Sequence, residues 1–592
     1  MGLLSRSVLA LLGSSLLVTA SPTAIIEHTK RGTLIARQDG NYECKCYAGD
    51  DCWPAEAEWN ALNSTVDGQL FNVIPDPAVC YQEYEGIPTY DAVKCAEVTQ
   101  KWGEQQWQTD QQVSNLWVLW TNMTCLPPSA GGGDTCTQGH IPDYVIMATT
   151  HDHIKAGIDF VRENNLRLII RNTGHDFLGR STGYGALAIN THSFKDVEFI
   201  EQYTSSDGEY NGRAVKVGAG IQGRELYTLA NQQNPPQTIV AGECPTVGFA
   251  GGYIQGGGHG PMSTHYGMAA DQVLEFEVIT ADGEFVTANA AENADLFWAV
   301  AGGGPSTFAA VLTVTIKTFD DAEASGFNFD LTTTDPEEFW KGVEIFHSYS
   351  NHWIENGMFV YFELGHMLFR VHPAVAPKLN EAQLENITQP LLDELTAANI
   401  PHTFSTKTFQ SFYDLYIDMF EDEGTGSAAH VGGRIFTKKD IAEHNKEIVE
   451  AYRLSAEGAG MFFIGHIVGP GEGLPTVNNA IHPTWRQAST FTISSLAVPF
   501  DASKALKDEL QDYLTNVGDA ALRDASPNGA AYVNEGNLEE PNWQEAYWGS
   551  NYPRLLELKE KWDSGRIFYA RTTPGTEDWA VIDDLGRLCK KV

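Results

Sequence analysis

The sequence predicts a two-domain α+β protein, with an α/β first half followed by a half built on an antiparallel sheet and packed helices. Three observations carry this. From about residue 150, helical patterns alternate with short buried-strand patterns. The densest glycine run, AGECPTVGFAGGYIQGGGHG at 241–260, follows one of those strands. Near Gly326 the texture changes to apolar, aromatic strand segments separated by long charged helices. A chain of 592 residues is long enough to give each half its own core.

The elements follow in order. Arg6 precedes an apolar stretch closing on Val18-Thr19-Ala20, the pattern of a secretory leader over residues 1–20. No later uninterrupted apolar run reaches about 18 residues, so the mature chain is expected to be soluble and extracellular. Nine cysteines suit that compartment. Cys44, Cys46, Cys52, Cys80, Cys95, Cys125, Cys136 and Cys589 allow four disulfides, and Cys244 is left over. A metal site on Cys44 and Cys46 is the weaker reading, because C-x-C lacks a second pair. His151 and His153 likewise lack a nearby third ligand, so no metal is expected. Asn63, Asn122 and Asn386 open N-x-S/T sequons, expected to carry N-glycans on surface loops.

PPSAGGGDTCTQG at 127–139 reads as a flexible or turn-rich junction. A helix is expected over 153–163, ended by Asn164-Asn165, then a buried strand over 166–171 that runs into NTGHDFLGRSTGYG. A strand over 214–220, a helix over GRELYTLANQQ and a strand over 238–242 lead into the glycine run. Residues 273–286 read as two strands joined at Asp282-Gly283, and 311–319 as another. In the second half, strands are expected over 357–364, 459–468 and 491–500. Thr437 with Asp440 forms a capping box opening a helix to Ala456, and Asp501 is the expected cap of a helix with Leu506, Leu510 and Leu514 on its apolar face.

The charge balance narrows the function. With 77 acidic against 38 basic residues the net charge is -39, which repels polyanions and disfavours nucleic-acid binding. Gly218, Gly220 and Gly223 form G-x-G-x-x-G between a strand and a helix, with Glu243 about twenty residues on, which imitates a dinucleotide site. The pattern recurs by chance in glycine-rich chains, and a tight strand-to-helix turn is the plainer reading. The run at 242–260 is more telling. Its glycines permit positive φ and close backbone approach to an anion such as a pyrophosphate, although a glycine-lined hairpin turn fits the composition too.

RNTGHDFLGRSTG at 171–183, GAGIQGRELY at 218–227, GECPTVGFAGGYIQGGGHG at 242–260 and YWGSNYPRLLELKEKWDSGRIF at 547–568 resemble the secreted berberine-bridge-enzyme-like flavin oxidases. These lie within the vanillyl-alcohol-oxidase and p-cresol-methylhydroxylase fold. The resemblance covers most of the chain after Cys44. It implies FAD attached twice, through C8α at His175 and through C6 at Cys244, with Arg171, Asn172, Thr173, Gly174, Pro245, Thr246, Val247, Gly248, Gly257, Gly258, His259, Gly260, Tyr547 and Asn551 around the cofactor. It implies a disulfide-bearing head over 21–125, an FAD-binding domain over 126–325, a substrate domain over 326–515, and a return to the first domain over 516–592.

The implied reaction oxidises an alcohol or carbohydrate hydroxyl by hydride transfer to flavin N5, with oxygen reduced to hydrogen peroxide. Tyr532 resembles the tyrosine of the family's Y-x-N-Y strand and is the first candidate base, needing a lowered pKa, with Asn534 orienting it or the substrate. Glu535-Gly536 departs from the pattern where a second tyrosine is usual. Phe177 stands where many relatives carry a tyrosine, favouring a small apolar or aromatic alcohol. His466, His482 and Arg486 are further candidates for the substrate cleft. The alternatives are a dehydrogenase with a non-oxygen acceptor and a non-catalytic binding protein of the same fold.

Overall fold

In the computed structural model, which describes residues 42–582 and 586–592, the first and last described segments meet in one sheet. Tyr42–Cys44 pairs antiparallel with Arg587–Lys591, which pairs in turn with Trp579–Ile582, and Cys44 and Cys589 are disulfide-bonded across the register. The leader expected over 1–20 lies outside the described residues. The other disulfides join Cys46 to Cys52, Cys80 to Cys95 and Cys125 to Cys136, so all eight expected cysteines pair and Cys244 stays free. The junction at 127–139 is turn-rich and spanned by the last of these bonds rather than loose.

Alternating and continuous apolar runs sort into three main sheets. The buried strands Tyr144–Met147, Leu187–Asn190 and Leu168–Arg171 pair in parallel, with Leu70–Asn72 antiparallel at one edge. Ile154, Ile158 and Val161, at i, i+4 and i+7 of helix His151–Glu163, cover this sheet. That helix starts two residues earlier than the sequence suggests because Thr150 is its cap. A second sheet is antiparallel in the order Phe285–Asn289, Val273–Thr280, Ala309–Lys317, Asn211–Gly218, Val197–Thr204. The third has seven antiparallel strands in the order His402–Phe409, Ala324–Leu331, Leu368–Pro377, Phe359–Gly365, Phe462–Ile467, Ala488–Ala497, Ala429–Thr437. Helices Pro336–Ser348 and Lys438–Ala459 pack on one another beside it. The fold class is thus as expected, mixed α/β first and antiparallel sheet with helices second.

Local corrections have physical reasons. Thr437 and Asp440 do form the capping box of Lys438–Ala459, but the following helix, Lys504–Tyr513, is capped by Ser503, whose hydroxyl accepts from Leu506 N, and not by Asp501. The stretch 238–242 yields only the short strand Gln237–Thr238, and the run after it forms a single wide helical turn at Phe249–Tyr253 instead of a hairpin. Asn63 and Asn386 sit on the helices Glu56–Thr65 and Glu381–Ala397, not on loops; Asn386 is exposed, whereas Asn63 accepts from Leu70 N and Asn122 from Lys507 Nζ. Tyr532 lies in an irregular segment joined to the seven-stranded sheet by the isolated bridge between Ile435 and Ala530.

Candidate functional site

The strand Leu168–Arg171 delivers the RNTGHDF turn at its carboxyl end, where open parallel sheets place ligands. Arg171 is fully buried and its guanidinium donates to the carbonyls of Gln108, Thr109, Ser114, Asn172 and Thr173. Its role is to tie the turn to the head of the chain. Gly174 has φ +81, and a Cβ there would lie 2.5 Å from Ser114 O, so only glycine allows this contact with the head. His175 then stands half-buried beside the glycine run.

The glycine run reaches the same place from another direction. Gly223 N donates to Val247 O at 3.0 Å and Phe249 N to Ile221 O at 2.8 Å, which press residues 245–249 against the start of helix Gly223–Asn231. The G-x-G-x-x-G glycines serve this packing: a Cβ on Gly220 would lie 2.1 Å from His192 O. Their strand belongs to an antiparallel sheet, so no dinucleotide turn forms. Thr246 Oγ1 lies 2.6 Å from His175 Nε2 and donates to Gln105 Oε1 at 2.9 Å, while Cys244 Sγ donates to the same Gln105 oxygen at 3.3 Å. His175 and Cys244 are thereby linked through two side chains.

Both line one cavity, together with Asn172, Thr173, Gly174, Phe177, Val247, Gly248, His259 and Asn534. The head contributes Gln105 and Trp117, whose ring stacks on Phe177 at 4.6 Å. The seven-stranded sheet closes the opposite side. Ile464 and His466 project from one face of Phe462–Ile467, and their cross-strand partners Ile493 and Tyr361 line the cavity with them.

Arg171, Pro245, Thr246, Gly257, Gly258, Gly260, Tyr547 and Asn551 do not line this cavity. Asn551 donates to Ile481 O at 3.0 Å and the Tyr547 hydroxyl to Asn537 O at 2.5 Å, both bracing the C-terminal segment. The cleft positions assigned to His482 and Arg486 are corrected: His482 contacts Glu545 O and accepts from Thr484 N, and Arg486 forms a two-pronged ion pair with buried Asp271. Tyr532 also lies off the cavity surface. Its hydroxyl accepts from Gly258 N at 3.0 Å and Asn534 Nδ2 at 2.8 Å. Burial, with the charge of Glu535, raises this phenol, opposite to what a base requires.

Titratable groups whose pairing the sequence leaves unmarked gather on the same cavity. Glu243 Oε1 lies 3.1 Å from His466 Nε2, and Glu535 Oε2 lies 3.0 Å from His259 Nε2, with the two imidazole rings 4.6 Å apart. Burial alone would raise Glu243, but the His466 charge and hydrogen bond, with the His259 charge, hold it well below the usual carboxylate range. Burial pulls His259 down, and Glu535 more than offsets it, leaving the imidazole above its ordinary value. Glu423, on the segment over Cys244, lines the cavity mouth with its side chain exposed, and crowding by protein with the charges of Glu243, Glu363 and Glu535 pushes it up to about 7. Enclosure and the neighbouring Arg171 charge lower His175 to about 3, so its ring is neutral near pH 7. Burial and Glu423 raise the Cys244 thiol. Glu243, directly before Cys244, was signalled by its motif neighbour and by the misleading dinucleotide pattern; Glu423, Tyr361 and Gln105 carry no local signal.

The residues present fit a planar aromatic cofactor with a phosphate-bearing tail. One wall is backbone and small side chains, the other is strand, and among the described residues seven buried polar atoms without partners belong to lining residues: Trp117 Nε1, Asn172 Oδ1, Arg180 Nε, Glu243 Oε2, His259 Nδ1, His466 Nδ1 and Asn534 Oδ1.

Comparison with known proteins agrees with this geometry. Residues 142–289 match the family model for an FAD binding domain, and 531–573 that for berberine and berberine-like proteins. The chain is 36% identical over 556 residues to FAD-linked oxidoreductase ZEB1 of Gibberella zeae, covering 93% of this chain and 95% of that one. It is 34% identical to FAD-linked oxidoreductase patO of Penicillium expansum, covering 92% and 94%. The crystal structure of the VAO-type flavoprotein MtVAO615 from Myceliophthora thermophila C1 superposes with a TM-score of 0.86 at 32% identity, covering 93% of this chain and 100% of that one.

Proposed function

Since the chain belongs to the fungal FAD-linked oxidoreductases of the vanillyl-alcohol-oxidase superfamily, with a berberine-bridge-like C-terminal segment, we propose that it is a secreted oxidase. On this reading it carries FAD on His175 and Cys244 and oxidises an uncharged alcohol or carbohydrate hydroxyl. Bound FAD supplies the two-electron acceptor for the substrate's hydride and returns the electrons to oxygen as hydrogen peroxide.

One observation carries the reading: His175 and Cys244, 69 residues apart in sequence, reach the wall of one cavity linked through Thr246 and Gln105. The neutral imidazole keeps a lone pair available for a bond to carbon. Asn172 and Asn534 line the cavity, with buried, unpartnered carbonyl oxygens packed against Gly248 and Gly256 of the glycine run. Trp117 and Phe177 form a stacked apolar side that suits an aromatic or small apolar alcohol. Secretion accords with the leader-like start and the four disulfides, and the sequons would then carry glycans.

The purified protein is expected to be yellow, to keep its flavin after denaturation, and to form peroxide with members of an alcohol and sugar panel. Turnover only with an artificial electron acceptor would replace the oxidase by a dehydrogenase, and release of all flavin on denaturation would remove both covalent links.

A further inference from the structure

The Glu243–His466 and Glu535–His259 pairs are the densest collection of titratable side chains facing the cavity, and the reading above gives them no task. His466 is 1% exposed and His259 3%. In its neutral form, a buried imidazole that spends one nitrogen on a carboxylate has its tautomer chosen: Nε2 carries the proton toward Glu243, and Nδ1 keeps a lone pair. That Nδ1 is itself buried and has no hydrogen-bond partner among the described residues. His466 also sits on the strand position whose side chain faces the cavity, opposite Tyr361 and two residues from Ile464. An acceptor oriented by a second group, on the wall facing the two proposed anchors, is the arrangement of a general base and its orienting carboxylate.

Resting on the flavin oxidase reading, we propose that His466 is the base that takes the substrate's hydroxyl proton, with Glu243 as its positioning residue. The substrate O–H bond breaks and an N–H bond forms at His466 Nδ1. With that proton taken, the C–H bond of the alcohol can release its electron pair as hydride, which bound FAD would accept, so the alcohol would lose two electrons, the flavin would gain them, and the carbonyl would form. The resulting imidazolium faces the Glu243 carboxylate, and its proton is passed on when oxygen becomes peroxide.

The groups around His466 are consistent with a single accepted proton. From the glycine run it faces Glu243 and His259, from the neighbouring strand Tyr361, from the C-terminal segment Glu535 through His259, and from the segment over Cys244 the Glu423 carboxyl. His259 next to it, raised above its ordinary value by Glu535, opposes a second imidazolium whenever it is protonated, and Glu243 compensates one. Tyr532 is excluded from the same role by position and by its raised phenol. Glu243, His259 and His466 also offer ligand-capable atoms within 4.8 Å of one another, so a metal ion is the competing occupant.

The test uses the full flavinylated chain. His466→Gln and Glu243→Gln are compared with the parent for flavin content, anaerobic flavin reduction across pH, metal content by plasma mass spectrometry, and histidine Cε1 signals in carbon-13 NMR. The expected result is undiminished covalent flavin, reduction slowed by about 10²- to 10⁴-fold in His466→Gln with loss of the acidic limb of its pH profile, and one titrating signal absent from His466→Gln and displaced in Glu243→Gln. Parent-like reduction in His466→Gln would overturn the proposal, as would stoichiometric metal that the variant loses. Reduction lost in Tyr532→Phe but kept in His466→Gln would return the role to the tyrosine. If the parent itself reduces no flavin with any alcohol, the oxidase reading fails, and the NMR titration still decides whether His466 and Glu243 exchange a proton as a pair.

Discussion

The wall that carries His175 and Cys244 and the wall that carries His466 face each other across one cavity, yet they are built by different means. The first is two short contiguous stretches, RNTGH and GECPTVG, held by main-chain hydrogen bonds and close contacts that a Cβ would block. The second is side chains drawn from separate strands and loops, held by ion pairs in a low-dielectric interior. Backbone walls tolerate little change in residue type but define position well. Side-chain walls are chemically adjustable, so they are the natural place for members of such a family to differ in substrate while keeping the cofactor side constant.

The largest effect expected from breaking the first wall is qualitative. Cys244→Ala should leave flavin attached through His175 alone, and the His175→Ala/Cys244→Ala double variant should carry none covalently, as read by flavin fluorescence of the denatured chain; bound flavin in the double variant would locate a different anchor. Next comes a position that sequence reading placed in the second wall and the structure does not. Arg486→Ala leaves Asp271 as an unpaired buried carboxylate and should cost roughly 3 kcal/mol of stability, seen as a lower denaturation midpoint. The rate of flavin reduction in the folded fraction should be unchanged, and a selective loss of substrate affinity would restore Arg486 to the cleft.

Tyr532→Phe separates the walls further. Removing its hydroxyl strips an acceptor from Gly258 N and Asn534 Nδ2, with an expected loss of about 1–3 kcal/mol. Flavin reduction is expected to fall by less than about tenfold, far below the effect of losing a general base. A smaller effect concerns Glu423. Its folded pKa, about 7, lies above that of an unfolded glutamate, so the folded state favours its protonated form and is penalised once the carboxylate is ionised. Glu423→Gln should therefore raise the melting temperature above pH 7, and the gain should shrink as pH falls toward about 4.5. An equal gain at all pH values would mean that the carboxylate is not the source. The smallest expected effect is at Asn386, exposed on its helix, where Asn386→Gln should remove one glycan's mobility shift without changing activity.

Much of the first wall was legible in the sequence because its information is local. His175 and Cys244 sit in glycine-bearing motifs after buried strands, and the odd cysteine stood out once eight others were expected to pair. Three strands of the seven-stranded sheet were legible for the same reason, their aromatic and β-branched runs being continuous, while the other four were not read. Of the second wall, His466 and His259 were singled out as residues but their pairing was not legible, since His466 meets Glu243 across 223 residues and His259 meets Glu535 across 276. Nothing in one sequence marks such pairs before the sheet is assembled. Tyr532 illustrates the opposite error: its motif suggested chemistry, but two local hydrogen bonds and its burial fix it as a brace for the Gly258 backbone.

The clasp between the chain ends sets a timetable for biosynthesis. The Cys46–Cys52, Cys80–Cys95 and Cys125–Cys136 bonds close loops of 6, 15 and 11 residues, and each becomes available as the head emerges from the ribosome. Cys44 must wait 545 residues for Cys589. At about 5–20 residues per second, translation leaves Cys44 without its partner for roughly half a minute to two minutes. During that interval it is an available thiol beside Cys46 and Cys52, so correct pairing of the head depends on the short loop closing first, and the last bond to form certifies that the whole chain has been made.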